Sequence, residues 1–402
     1  MNFAGALRAR IATAAMLSCV AFLAACSAGD IPSGLPIREP AVMPAQDTAP
    51  VPAQGEILGT GSTRVALLVP LGTQGNGGVV AAELKNAAQL ALEDAGLDSL
   101  QIVVKDTGGN EAGASAAAAS AGAEGSAMII GPLFAAEVRS ASTALGPSHP
   151  PILAFSSDRN VAAPGTYLNS FLPEDLVRRI MSYAVSQGVR RVVALVPNGP
   201  AGDLAETEAR RILQAAGGDV VAIGRYGYDN ASVMAALQQV ALEIGQADAI
   251  FIPDGGNTPS VIVSALKGMG IDLSGKKLLG NGQWTSANLA DQALQGGWFA
   301  DVDHARLNIF KGRYRQRFGT EPSVTASLAY DSVILAAAFA RQGGAAAFTR
   351  ANLEIPAGFA GTTGTFRFRP DGTNERGYAV YEVMDGAARL ISPPPSSFAG
   401  AS

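Results

Sequence analysis

With 402 residues, 48% hydrophobic and 16% charged, the chain can bury a substantial core, which excludes a disordered or fibrous protein. A formal net charge of −5 leaves no basic footprint for nucleic acid or an anionic membrane surface, and 6% aromatics leave little for base stacking.

The N-terminus pairs a charged segment, with Arg8 and Arg10, with a short apolar run, "IATAAMLSCVAFLAAC". That is the build of a secretory signal, predicted here over residues 1–25. Its end, Leu23-Ala24-Ala25-Cys26, matches the bacterial lipobox, in which cleavage leaves Cys26 as an acylated N-terminus. Acyl chains on one residue bury enough CH₂ groups to hold a soluble body at a membrane. Ser27 after Cys26 fits lipoproteins sorted to the outer membrane, so a lipid-anchored periplasmic protein is expected. The only other cysteine, Cys19, leaves with the signal, so no disulfide is expected in the body.

Residues 26–62 are rich in Pro, Ala and Gly without an apolar face and read as a tether. From residue 63 apolar runs alternate with helical patterns. The runs are "RVALLVPL", "LQIVVKDT", "SAMIIGPL", "PPILAFSS", "RRVVALVP", "DVVAIGRYGY", "ADAIFIPDG" and "KKLLGNGQ". Runs this apolar predict buried parallel strands, and their number predicts two doubly wound sheets. The stretch "DRNVAAPGTYLNSFLPEDLVRRIMSYAVSQG" breaks the alternation, as a crossing between lobes would. The end, "GTFRFRPDGTNERGYAVYEVMDGAARLIS", alternates at period two around turn sequences and predicts antiparallel strands.

Catalytic and cofactor motifs fail one by one. The glycine loop "GTQGNGG" after the first strand places Val80 where a dinucleotide fingerprint needs glycine, and no P-loop sequence occurs. Ser264 and Lys267 fit S-x-x-K and Ser286-Ala287-Asn288 fits S-x-N, but K-T-G is absent. The two histidines, His149 and His304, fall short of a zinc set or a catalytic triad. No enzyme, metal or cofactor is expected, and the glycines are read as turn formers at a cleft edge.

The order of these pieces resembles a known family. "RVALLVPL" with "AAQLALEDAG", then "AMIIGPLFAAEV", "PPILAFSSD", "FKGRYRQRFGTEPSVTASLAYDSVILAAA" and "GTTGTFRFRPDGTNERGYAVYEVMDG" resemble the type 1 periplasmic-binding proteins over residues 63–392. Within them the chain is most similar to the lipoproteins known as penicillin-binding-protein activators, relatives of the leucine-binding proteins. It departs from the best-known activators, whose helical-repeat domain is replaced here by the tether.

The resemblance implies an α/β fold of two lobes with a cleft between them. Lobe 1 is expected at about 63–170 and 285–350, lobe 2 at about 171–284 and 351–392, with a flexible tail at 393–402. It further implies a ligand site at the strand C-terminal ends. Leu133, Phe134, Ala154, Ser156 and Ser157 are its expected contributors from lobe 1. Lobe 2 would contribute Asn198, Asp254, Gly255, Gln283 and Trp284. Ser156 would meet a carboxylate and Asp254 an ammonium. Two functions follow from the resemblance. The first is a non-catalytic regulator that binds a peptidoglycan synthase. The second is a solute receptor delivering amino acids or related molecules to an ABC transporter.

Overall fold

The computed structural model describes residues 51–399. The expected signal sequence, Cys26 and most of the expected tether lie outside the described residues.

The first half of the chain builds lobe 1 from β1 (Glu56–Leu58), β2 (Arg64–Val69), α1 (Asn76–Ala95), β3 (Gln101–Asp106) and α2 (Glu111–Ala123). It continues with β4 (Ile129–Ile130), α3 (Ala135–Leu145), β5 (Ile152–Ala154) and β6 (Thr166–Leu168). Lobe 2 follows as α4 (Pro173–Ser186), β7 (Arg191–Pro197), α5 (Pro200–Ala215), β8 (Asp219–Tyr226) and α6 (Asn230–Ile244). Then come β9 (Ala249–Phe251), α7 (Thr258–Gly268), β10 (Lys277–Gly280) and β11 (Trp298–Asp301). The chain returns to lobe 1 with α8 (His304–Phe318), α9 (Ala326–Gly343), α10 (Arg350–Leu353), β12 (Phe359–Gly361), β13 (Gly364–Phe368) and β14 (Asn374–Arg376). It ends in lobe 2 with β15 (Ala379–Met384) and β16 (Ala387–Ser392).

Lobe 1 carries a sheet of order β1-β3-β2-β4-β5-β6 and lobe 2 one of order β16-β15-β11-β10-β9-β7-β8. The consecutive pairs β3-β2-β4-β5-β6 and β11-β10-β9-β7-β8 are parallel. All eight strands expected from apolar runs are present, because a strand covered by helices on both faces must be apolar throughout. In each sheet the order reverses beside the first parallel strand of its lobe, between β2 and β4 and between β7 and β9. Loops diverge there and leave a crevice at the strand C-terminal ends.

Four expectations need correction. Residues 285–301 were expected in lobe 1, yet β11 pairs with β10 and β15, and Leu294 and Phe299 pack in the lobe 2 core. Residues 351–378 belong to lobe 1, where Leu353, Phe366 and Phe368 join the core built on α1 and α9. The tether ends before residue 62, because β1 pairs antiparallel with β3 and the chain is held from Val51 onward. Lys105 drives that attachment. Its buried ammonium needs acceptors and takes Glu124 Oε1 at 2.8 Å and the Gln54 carbonyl at 2.8 Å. Finally, the tail expected to be flexible from residue 393 packs on the body, with Phe398 buried.

The chain crosses between the lobes three times, after β6, β11 and β14, and the first and third crossings meet at a buried arginine. Arg376 donates through Nε to the Ser170 carbonyl at 2.9 Å and through its two terminal nitrogens to Asn169 Oδ1 and Thr363 Oγ1, between the rings of Phe171 and Phe366. His304 ties the second crossing by bonding Asp301 at 2.8 Å and stacking on Tyr381.

Candidate functional site

At the lobe 1 reversal point lies a cavity of about 600 Å³. The N-terminal end of α1 supplies Asn76, Gly77 and Val80, while the turn after β4 supplies Leu133 and Phe134. Phe155, Ser156 and Ser157 follow β5, Ser170 and Phe171 follow β6, and Thr325 and Leu328 close the floor at the start of α9. The walls are largely apolar, and the polar atoms come from hydroxyls, an amide and Asp158. Of the residues expected from sequence, Leu133, Phe134, Ser156 and Ser157 therefore lie together on this cavity.

Ala154 does not. It is fully buried inside β5, whose last residue points into the core under α2 and α3. The period-two alternation of a strand makes Ala154 and Ser156 share one direction only if the strand continues. It ends at Ala154, and the chain turns.

The glycine loop owes its composition to packing. A Cβ at Gly78 would sit 2.0 Å from the Thr73 carbonyl, and Gly75 holds a φ of 71° before α1. Glu137 supports the same wall from beneath. Its buried carboxylate accepts the Phe134 N–H at 3.1 Å and bonds Thr107, and burial pushes its pKa up. That bond fixes the turn carrying Leu133 and Phe134.

In lobe 2, Asn198 and Gly255 follow β7 and β9 at the reversal point, with Asp254 buried beside them. The Asp254 carboxylate accepts the Tyr226 hydroxyl at 3.0 Å and its neighbour's N–H, that of Gly255, at 2.8 Å. Both partners are neutral, and Asp254 forms no ion pair among the described residues. Tyr228, 79% exposed, stands edge-on to Tyr226. Burial first, and the Asp254 charge second, push both phenols up. Sequence reading missed this tyrosine pair, although "GRYGYDN" following an apolar strand placed it at a strand end.

Gln283 is exposed on the turn after β10, and its carbonyl lies close to Gly255. Trp284 is a core residue instead of a cleft residue. It is fully buried, packs against Phe299, and donates Nε1–H to the Ile252 carbonyl at 3.0 Å. An indole whose one donor is satisfied by backbone gains more from the core than from a wet cleft. Gly280 makes the room, since a Cβ there would come within 2.1 Å of the ring.

Ser264 is exposed on the outer face of α7, and no group of three or more His, Cys, Asp or Glu able to hold a metal occurs among the described residues.

Comparison with known proteins agrees with this geometry. A protein from Rhodospirillum rubrum, described as a branched-chain amino acid ABC transporter, has a similar structure, with a TM-score of 0.71 at 18% identity. The match covers 82% of this chain and 99% of that one. A Rhodopseudomonas palustris BisB5 solute-binding protein of an ABC transporter, in complex with 3,4-dihydroxybenzoic acid, gives 0.56 at 18% identity over 84% and 97%. A branched-chain amino acid transporter substrate-binding protein from Streptococcus pneumoniae, in complex with isoleucine, gives 0.55 at 22% over 82% and 99%. No curated protein sequence matches the chain. These similarities establish the two-lobed type 1 fold. The family model "periplasmic binding protein" matches residues 62–388, and the chain belongs to that family.

Proposed function

We propose that this periplasmic protein is a solute receptor that closes its two lobes on a small amine-bearing molecule, an amino acid or a near relative, for delivery to an ABC transporter. The observation that carries this reading is Asp254, a buried carboxylate without a cationic partner at the lobe 2 reversal point. An ammonium group from a ligand would complete it, since a buried charge is stable only when paired. The cavity of lobe 1 would take the apolar part, with the Ser156 and Ser157 hydroxyls and the N-terminus of α1 near the carboxylate. The structural relatives support the receptor reading over regulation, being named as ABC transporter proteins.

A thermal-shift screen of amino acids, amines and aromatic acids tests it. An amino acid should raise the melting temperature of the wild type and leave Asp254→Asn unmoved. A ligand that stabilises both proteins equally would remove Asp254 from the site.

The second reading, a regulator of a peptidoglycan synthase held to the outer membrane through lipidated Cys26, rests on the "LAAC" lipobox and Ser27. It expects the synthase to be captured from envelope extracts equally by wild type and Asp254→Asn. Loss of metabolic palmitate label in Cys26→Ala tests the anchor that it needs.

A further inference from the structure

After β16 the chain does not leave the molecule. From Ser392, at the edge of the lobe 2 sheet, residues 393–398 run back to lobe 1. At the lobe 2 end, Arg179 of α4 donates to Ser392 Oγ at 2.7 Å, while its Nε–H bonds the Tyr378 carbonyl in the third crossing. At the lobe 1 end, Thr365 Oγ1 donates to the Ser396 carbonyl at 3.2 Å, and the Phe398 N–H bonds the Ala357 carbonyl at 3.2 Å. The Phe398 ring is buried beneath the Arg367 guanidinium, 4.8 Å from its centroid. Between the two ends stand three consecutive prolines, Pro393 to Pro395, a sequence that holds an extended and stiff backbone. Pro395 lies against the third crossing at Gly377, where a Cβ would meet its ring at 2.8 Å.

We propose that Ser392–Phe398 is a strap, a fourth connection across the hinge that limits how far the lobes move apart. Three properties point to this. Each end is fixed to a different lobe by side chains of that lobe. The span between them is proline and resists both stretching and folding up. Its middle touches the hinge segment itself, behind which a cavity of about 430 Å³ is left between α4 and β14. A tail that served only to cover surface would need neither the buried aromatic end nor the stiff span. The strap acts on lobe motion whether or not the cleft has a ligand, so the proposal stands apart from the receptor reading.

The test is a distance measurement between the lobes. In the full chain with Cys19→Ser and Cys26→Ser, spin labels at the exposed positions Ala112→Cys in lobe 1 and Gln238→Cys in lobe 2 report the interlobe distance distribution without added ligand. Ending the chain at Ser392 should broaden that distribution about twofold toward longer distances, as release of a hinge restraint requires. Phe398→Lys, which sets two like charges together at Arg367, should do the same with the tail still present. Cooperative melting of each variant confirms that the lobes remain folded. If the truncated chain fails to fold, Phe398→Lys decides alone. A distribution in Phe398→Lys as narrow as that of the wild type overturns the strap.

Discussion

Single residues show where sequence was readable and where it was not. Ser156, Ser157, Leu133 and Phe134 were legible because they follow apolar runs that end in turn residues, and a crevice forms where such turns diverge. Ala154 and Trp284 misled for the same reason, since proximity to a strand end does not say which way a side chain points. Trp284→Ala should therefore cost about 3–5 kcal/mol of stability, the range for truncating a buried aromatic, in denaturant unfolding. A cleft residue would cost little. The hinge offers a second case. Burial lifts the Asp331 carboxyl to about 6 against the opposing pull of Arg376 and Arg306, and burial lifts Asp175 to about 6 against Arg178. A carboxyl raised in the folded state binds its proton more tightly there than in the unfolded chain. Its stabilising contribution is thus full below the unfolded value and is lost as pH rises through about 6. Asp331→Asn should flatten the fall in melting temperature between about pH 4 and pH 7. A profile parallel to that of the wild type would show that Asp331 does not titrate in this window.

Among the elements, the N-terminal arm has the clearest physical cause and the faintest sequence signal. β1 is three residues long, half exposed and set in a Pro- and Gly-rich stretch, so its own pattern says tether. Its reason lies about fifty residues away in Lys105, the buried charged residue of β3, whose ammonium is satisfied by Gln54, Ser120 and Glu124. A chain beginning at Thr63 should melt several degrees below one beginning at Val51, because it leaves a buried ion pair short of an acceptor and opens the β3 edge to other strands. Equal melting temperatures would make the arm decorative. The small strands β12 to β14 were equally hard to assign to a lobe. Their alternation was visible, but it was the aromatic trio Phe359, Phe366 and Phe368 packing together that decided the partner.

At the scale of the whole molecule, the two-lobed plan was legible because each doubly wound sheet writes its strands as apolar runs. The order of return between lobes was not, because both lobes accept amphipathic helices alike. If the receptor reading holds, saturation with ligand should reduce the radius of gyration in solution scattering, and Asp254→Asn should not respond. The interleaving of the lobes has a further consequence, which concerns time. Lobe 1 needs α8, α9 and the strands up to Arg376 to close its core, and lobe 2 needs β15 and β16. A ribosome or a translocation channel that has released residues up to 301 has therefore released two half-cores and no finished one. Contacts spanning more than two hundred residues, such as Arg317 with Glu93 and Arg313 with Asp94, form only at the end. Such a topology predicts slow folding that is completed only once residues 302–376 and the last two strands are available. A fragment ending at Asp301 should accordingly show no cooperative melt, and addition of residues 302–402 as a second chain should restore one.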